Sequence, residues 1–138
     1  MPLIDHLGLT VEDLDRAFAQ WDPVLTALGC IAEDGEMEGG IAWYREDDVE
    51  LILYRAPEPG GEPHQYGRIG WQHLAFGVDS RAEVERLHAV AVGAGWTTVR
   101  APKVFARFSD RYYASFVEDD NGIRLEFVHN PPREPVED

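Results

Sequence analysis

The chain alternates apolar and polar positions in a way that repeats. Ile4-Asp5-His6-Leu7-Gly8-Leu9-Thr10-Val11 alternates with a period of two and reads as a strand, as does Trp71-Gln72-His73-Leu74-Ala75-Phe76-Gly77-Val78. Each runs into a helical pattern. In the first copy, Thr10-Val11-Glu12-Asp13 has the form of a capping box, and Leu14, Ala17, Phe18 and Trp21 follow at helical spacing. Pro23 is expected to end or kink that helix, and Gly29 to stop its short continuation. In the second copy, Ser80-Arg81-Ala82-Glu83 is the capping box, Val84, Leu87 and Ala91 form the buried stripe, and Gly95 is the stop. Further strands follow each helix. Ile41–Asp48 parallels Tyr113–Asp120, and Val49–Tyr54 parallels Arg124–Val128, with Asn121-Gly122 as a hairpin signal.

Each half therefore reads strand, helix, then two or three strands. A single domain over 1–138 divides into module one (about 1–57), a Pro/Gly-rich linker (58–67), module two (about 68–130) and a mobile tail (131–138).

Alternation also assigns faces. Leu7, Leu9 and Val11, Leu74, Phe76 and Val78, Leu51 and Leu53, and Leu125 and Phe127 belong under the helices. The opposite, open face of each module then carries one histidine and one glutamate at matching places: His6 with Glu50, and His73 with Glu126. Two imidazoles and two carboxylates suit one divalent metal ion such as Zn, Ni, Co, Mn or Fe. A histidine on a strand is ordinarily a packed or surface residue; two His/Glu pairs in register with a repeat are much harder to dismiss.

Composition narrows the partners. The chain has 138 residues with 12 basic and 26 acidic side chains, a net charge of −14. That argues against nucleic acid and anionic membranes. No apolar run approaches the roughly 20 residues of a membrane-spanning helix. With no leader pattern and the single cysteine Cys30, the expected location is the cytoplasm. Trp43, Tyr54, Tyr112, Tyr113 and Phe105 are candidates to line a substrate cavity, and Arg107 and Arg111 to orient an anionic group. No P-loop, G-x-G-x-x-G or G-x-S-x-G motif is present.

Three segments carry a family resemblance: Asp5-His6-Leu7-Gly8-Leu9-Thr10-Val11, Gln72-His73-Leu74-Ala75-Phe76, and Phe116-Val117-Glu118-Asp119-Asp120-Asn121-Gly122-Ile123-Arg124-Leu125-Glu126-Phe127. With them the chain resembles the vicinal oxygen chelate superfamily, which includes glyoxalase I, methylmalonyl-CoA epimerase, extradiol dioxygenases, fosfomycin-modifying enzymes and bleomycin-resistance proteins. Asp120-Asn121 stands where members usually carry Pro-Asp. The resemblance implies an α+β fold of two βαβββ modules forming a half-open barrel around a metal, with His6, Glu50, His73 and Glu126 at the ligand positions. It implies lyase or epimerase chemistry, with Glu126 or Glu50 as general base and a metal-stabilised enediolate. The alternatives are a metal-free protein that sequesters an antibiotic or natural product, as in bleomycin resistance, and an extradiol-type dioxygenase using His6, His73 and Glu126. Related glyoxalase I proteins form homodimers with shared sites. The same is expected here, each site taking His6 and Glu50 from one chain and His73 and Glu126 from its mate.

Overall fold

The computed structural model describes residues 2–33, 39–58 and 60–133. The tail from residue 134 onward and Pro59 of the linker lie outside the described residues. The element order is β1 (His6–Val11), α1 (Leu14–Ala27), β2 (Ile31–Ala32), β3 (Gly40–Tyr44), β4 (Glu50–Arg55), β5 (Leu74–Gly77), α2 (Arg81–Gly93), β6 (Thr97–Val104), β7 (Tyr113–Glu118) and β8 (Arg124–His129). This is an α+β fold of two βαβββ modules. The strands form two separate four-stranded sheets, ordered β1-β4-β3-β2 and β5-β8-β7-β6, and among the described residues no closed barrel forms. In each sheet the first strand pairs in parallel with the last, β1 with β4 and β5 with β8; the other pairings are antiparallel. Among the described residues no helix is long and apolar enough to cross a membrane.

Two local expectations need correction. Asp13, not Thr10, caps α1: its carboxylate accepts from the Arg16 amide at 3.1 Å. Thr10 is held in β1 opposite Tyr54, so its backbone is committed to the ladder. Pro23 does not end α1, which continues to Ala27. Pro23 and Ala19 face solvent, where water can satisfy the carbonyl that loses its amide partner, while Val24 and Leu25 are buried on the opposite side. In α2 the Ser80 hydroxyl accepts from the Glu83 amide at 3.1 Å, as the capping box predicts. Gly29 and Gly95 end the helices at φ +88° and +97°.

The predicted apolar faces do form the core, which holds Val11, Leu51, Leu53, Leu125 and Phe127 together with Trp21, Leu25, Val84 and Leu87. The modules meet through α1 and α2. That junction is polar as well as apolar. Trp21 packs edge-on against Trp96 at 5.0 Å, and Trp96 Nε1 donates to the Gln20 carbonyl at 2.8 Å. Gln20 reaches the Gly95 carbonyl and Asp120, and Arg16 pairs with Asp120 at 2.6 Å. At its centre Asp119, 7% exposed, accepts from Trp21 Nε1 (3.0 Å) and from the amides of Asn121 and Ile123.

Candidate metal centre

Glu50 opens β4 and lies opposite His6 of β1 in the parallel register, so both project from the open face of the first sheet. In the second sheet Glu126 of β8 lies beside Ala75 of β5, and His73 immediately precedes β5. The His73 Nε2 atom is 2.9 Å from Glu126 Oε1. The alternation that turns Leu51, Leu53, Leu125 and Phe127 toward the helices puts Glu50 and Glu126 on the opposite faces of their sheets.

Both histidines are anchored in the same way. His6 Nδ1 lies 2.7 Å from Asp5 Oδ1, and His73 Nδ1 bonds to Gln72 Oε1. Each acceptor is the preceding residue. A carboxylate or amide oxygen only accepts, so a ring nitrogen Nδ1 that donates to it leaves the Nε2 lone pair for a metal. In module two that lone pair faces the acceptor Oε1 of Glu126. Two acceptors at 2.9 Å need a positive charge between them, either a proton or a metal ion. The donor chemistry therefore fits a divalent cation.

The two halves differ in readiness. Glu126 is 2% exposed and His73 side-chain exposure is 28%, against 56% for His6. The Tyr112 hydroxyl donates to Glu126 Oε2. Burial, and then this carboxylate neighbour, hold the Tyr112 phenol well above the usual range, so it remains a donor. Burial first, and then the Glu33 and Asp5 carboxylates, push Glu50 above its ordinary value, while His6 opposes them. Among the described residues no three His, Cys, Asp or Glu side chains converge to hold a metal. One chain thus presents two half-sets, not a set of four.

The expected cavity-lining residues divide. Phe105 packs edge-on against Phe116 (5.6 Å) and Tyr112 (6.2 Å), and Phe116 packs against His73 (5.5 Å). It belongs to the wall beside Glu126. Arg107 lies over Phe108, whose ring is 4.9 Å from Tyr112. Tyr54 is on the open face of module one but lies across Gly8 and Gly40, filling the space that Gly8 leaves. Trp43 and Tyr113 do not line either open face. Trp43 is in phase with Ile41 and faces the core, donating to Asp22 at 2.9 Å and stacking on Phe18. Tyr113 is in phase with buried Val117, and its hydroxyl donates to Glu85 of α2 at 2.7 Å. Of the adjacent tyrosines it is Tyr112 that reaches the glutamate. The Gln72 and Asp5 anchors have one signal in the sequence, an oxygen-bearing side chain directly before each histidine. A cleft of about 510 Å³ lies elsewhere, between the end of β1, the linker and the β7–β8 turn, lined by Glu12, Glu58, His64 and Asn121 among others.

The model of the Glyoxalase/Bleomycin resistance protein/Dioxygenase superfamily matches residues 3–127. The chain belongs to this superfamily. It is 31% identical over 124 residues to the uncharacterized protein YqjT of Bacillus subtilis (89% of this chain, 95% of that one). It is 29% identical over 134 residues to the uncharacterized protein PA2024 of Pseudomonas aeruginosa (97% and 93%). A crystal structure of a Bacillus halodurans protein provisionally named a glyoxalase superposes with a TM-score of 0.78 at 26% identity, covering 92% of this chain and 95% of that one. Glyoxalase-superfamily members bind small molecules, typically use a metal and often form dimers.

Proposed function

We propose that the protein is a metal-dependent enzyme of the vicinal oxygen chelate type, acting on a small molecule by removing a proton from carbon next to a carbonyl. The observation that carries the reading is the matched pair of His/Glu half-sets, each histidine bonded through Nδ1 to the residue before it and, in module two, turned through Nε2 to Glu126. His6, Glu50, His73 and Glu126 would hold one divalent ion. Such an ion supplies Lewis-acid polarisation of substrate oxygens. Glu126, buried beside its histidine, is placed to accept the proton. Tyr112 holds one carboxylate oxygen and leaves the other facing His73. His6 and His73 serve as ligands through Nε2.

Because a single chain offers only half-sets, the reading includes a homodimer. Each site joins His6 and Glu50 of one copy to His73 and Glu126 of the partner subunit. β1 and β5 are open sheet edges, and Ile4 and Trp71 beside them are exposed. Mixing His6→Ala chains with Glu126→Ala chains tests this. Random exchange makes half of the dimers mixed, each with one complete site, so about a quarter of wild-type metal content and turnover should return. No recovery despite proven exchange would refute the shared site.

The anchor also predicts a graded effect. Gln72→Leu removes the partner of His73 Nδ1 and should weaken Zn affinity by about 10-fold to 100-fold, read by competition with a chromogenic chelator. Unchanged affinity would show that Gln72 does not orient the ligand. The second reading, sequestration of a natural product without turnover, is favoured by the aromatic wall of Phe105, Phe108 and Phe116. Protein purified without chelator separates the two: about one divalent ion per chain supports the enzyme, and a metal-free protein that binds a planar drug supports sequestration.

A further inference from the structure

The basic side chains are unevenly spread. Residues 97–112, which span β6 and the loop to β7, contain four of the 12 cations, Arg100, Lys103, Arg107 and Arg111, and one carboxylate, Asp110. The rest of the chain is strongly acidic, so this hairpin is a local reversal of sign. Cross-strand pairing shows what it lies beside. Arg100 lies opposite Phe116 and Lys103 opposite Ala114, while Phe116 in turn lies opposite Glu126. The register of β6 shifts on either side of Arg100, so the pairing sets Arg100 and Lys103 on the strand alongside Phe116, and the ring contacts below carry the placement.

The side chains extend this arrangement. Lys103 Nζ lies 4.9 Å from the centre of the Phe105 ring, and Arg107 lies 4.8 Å from that of Phe108. Each cation is thus one ring removed from Tyr112, which bonds Glu126. Among the described residues none of Arg100, Lys103 and Arg107 has a carboxylate within 4.0 Å, although the chain is rich in them. Arg111, by contrast, is tied to Asp110 and to the Pro131 carbonyl. Phe108 is 55% exposed, so the apolar wall continues out to the rim where the cations stand.

From this we infer that the Glu126 face selects a substrate with a flat apolar group and a negative charge. The ring lies against Phe105, Phe108 and Phe116, and the anion is held by Arg100, Lys103 and Arg107. The inference rests on reading this face as the substrate side and adds the substrate class. A chain of net charge −14 repels anions at long range; a local cationic rim with aromatic backing offsets that repulsion only at this mouth.

Three probes of one shape test it by calorimetry at low ionic strength: phenylpyruvate, its neutral methyl ester, and the aromatic cation phenethylamine. The protein is full length and measured both metal-loaded and chelator-treated. The chelator-treated arm isolates the rim from any contact between the carboxylate and a metal. Phenylpyruvate should bind at least about 10-fold more tightly than the ester and more tightly still than the amine in both arms. Combined Arg100→Gln, Lys103→Gln and Arg107→Gln should erase that preference while leaving metal content unchanged. Equal binding of anion and ester, no binding of the anion at millimolar concentration, or a preference that survives the triple variant would overturn the inference. So would a triple variant whose only change is weaker self-association, since the rim would then serve the acidic module-one face of a second copy. A preference present in chelator-treated protein whose wild type takes up no metal would uphold the inference while refuting the metal-dependent reading.

Discussion

Replacing Glu126 by alanine is expected to lower divalent-metal affinity by more than about 100-fold and any turnover by about 1,000-fold, with the fold retained. Loss of an outer partner such as Gln72 costs up to about 100-fold, and loss of a ligand costs more. Glu126 is unusual among the four residues in being both buried and in direct contact with its histidine. It projects from the open face, whereas its neighbours Leu125 and Phe127 carry the packing, so truncation removes the carboxylate without opening the core. Glu126→Gln separates charge from shape: it keeps the size and an acceptor for Tyr112 but cannot take up a proton as a base. Metal analysis, circular dichroism and turnover on candidate oxo-acids together check the result. Full metal content and activity in Glu126→Ala would remove the four-ligand site from consideration.

The largest stability effect is expected at Asp119. Asp119→Ala leaves the Trp21 indole N–H and the Ile123 amide buried without acceptors, at about 1–3 kcal/mol each. The total is about 4 kcal/mol, or a fall in Tm of about 10–20 °C for a chain of this size. Burial raises the carboxyl above its ordinary value, and its hydrogen bonds oppose that only in part. The sign follows: with the folded value raised, the contribution from this group is full below the unfolded value of 3.8 and is lost as pH rises through the folded value. Asp119→Asn should therefore flatten the stability profile just above pH 4, where wild type declines. A thermal melt series from pH 3.5 to 6.5 reads both effects; an unchanged Tm for Asp119→Ala would mean that water replaces the carboxylate.

Much of this architecture is legible because period-two alternation in a strand has only two phases. Leu51 and Leu53 inward force Glu50 outward, and Leu125 and Phe127 do the same for Glu126. The same rule, applied at β3 and β7, places Trp43 with Ile41 and Tyr113 with Val117 in the core and not in the cavity wall expected of them. The acidic turn before Gly122 reads as a hairpin. The structure also uses Asp119 to bind the other module, a contact between residues 98 positions apart that local pattern does not encode. The cap at Asp13 and the passage of α1 through Pro23 are likewise decided by neighbours in space: the β1–β4 ladder for one, solvent beside Ala19 for the other.

Trp21 and Trp96 come from different modules and touch only where α1 meets α2. Trp43 lies within module one, stacked on Phe18 and bonded to Asp22, and Trp71 is largely exposed. Indole emission is therefore divided by location. The Trp21–Trp96 pair responds to docking of the halves, and Trp43 to the folding of the first half alone. The Trp96–Trp21 contact needs both halves, whereas the contacts of Trp43 are confined to the first half. A stopped-flow refolding trace from single-tryptophan variants would consequently show Trp43 reaching its final environment before Trp96, timing the assembly of two halves against each other from within one unlabelled chain.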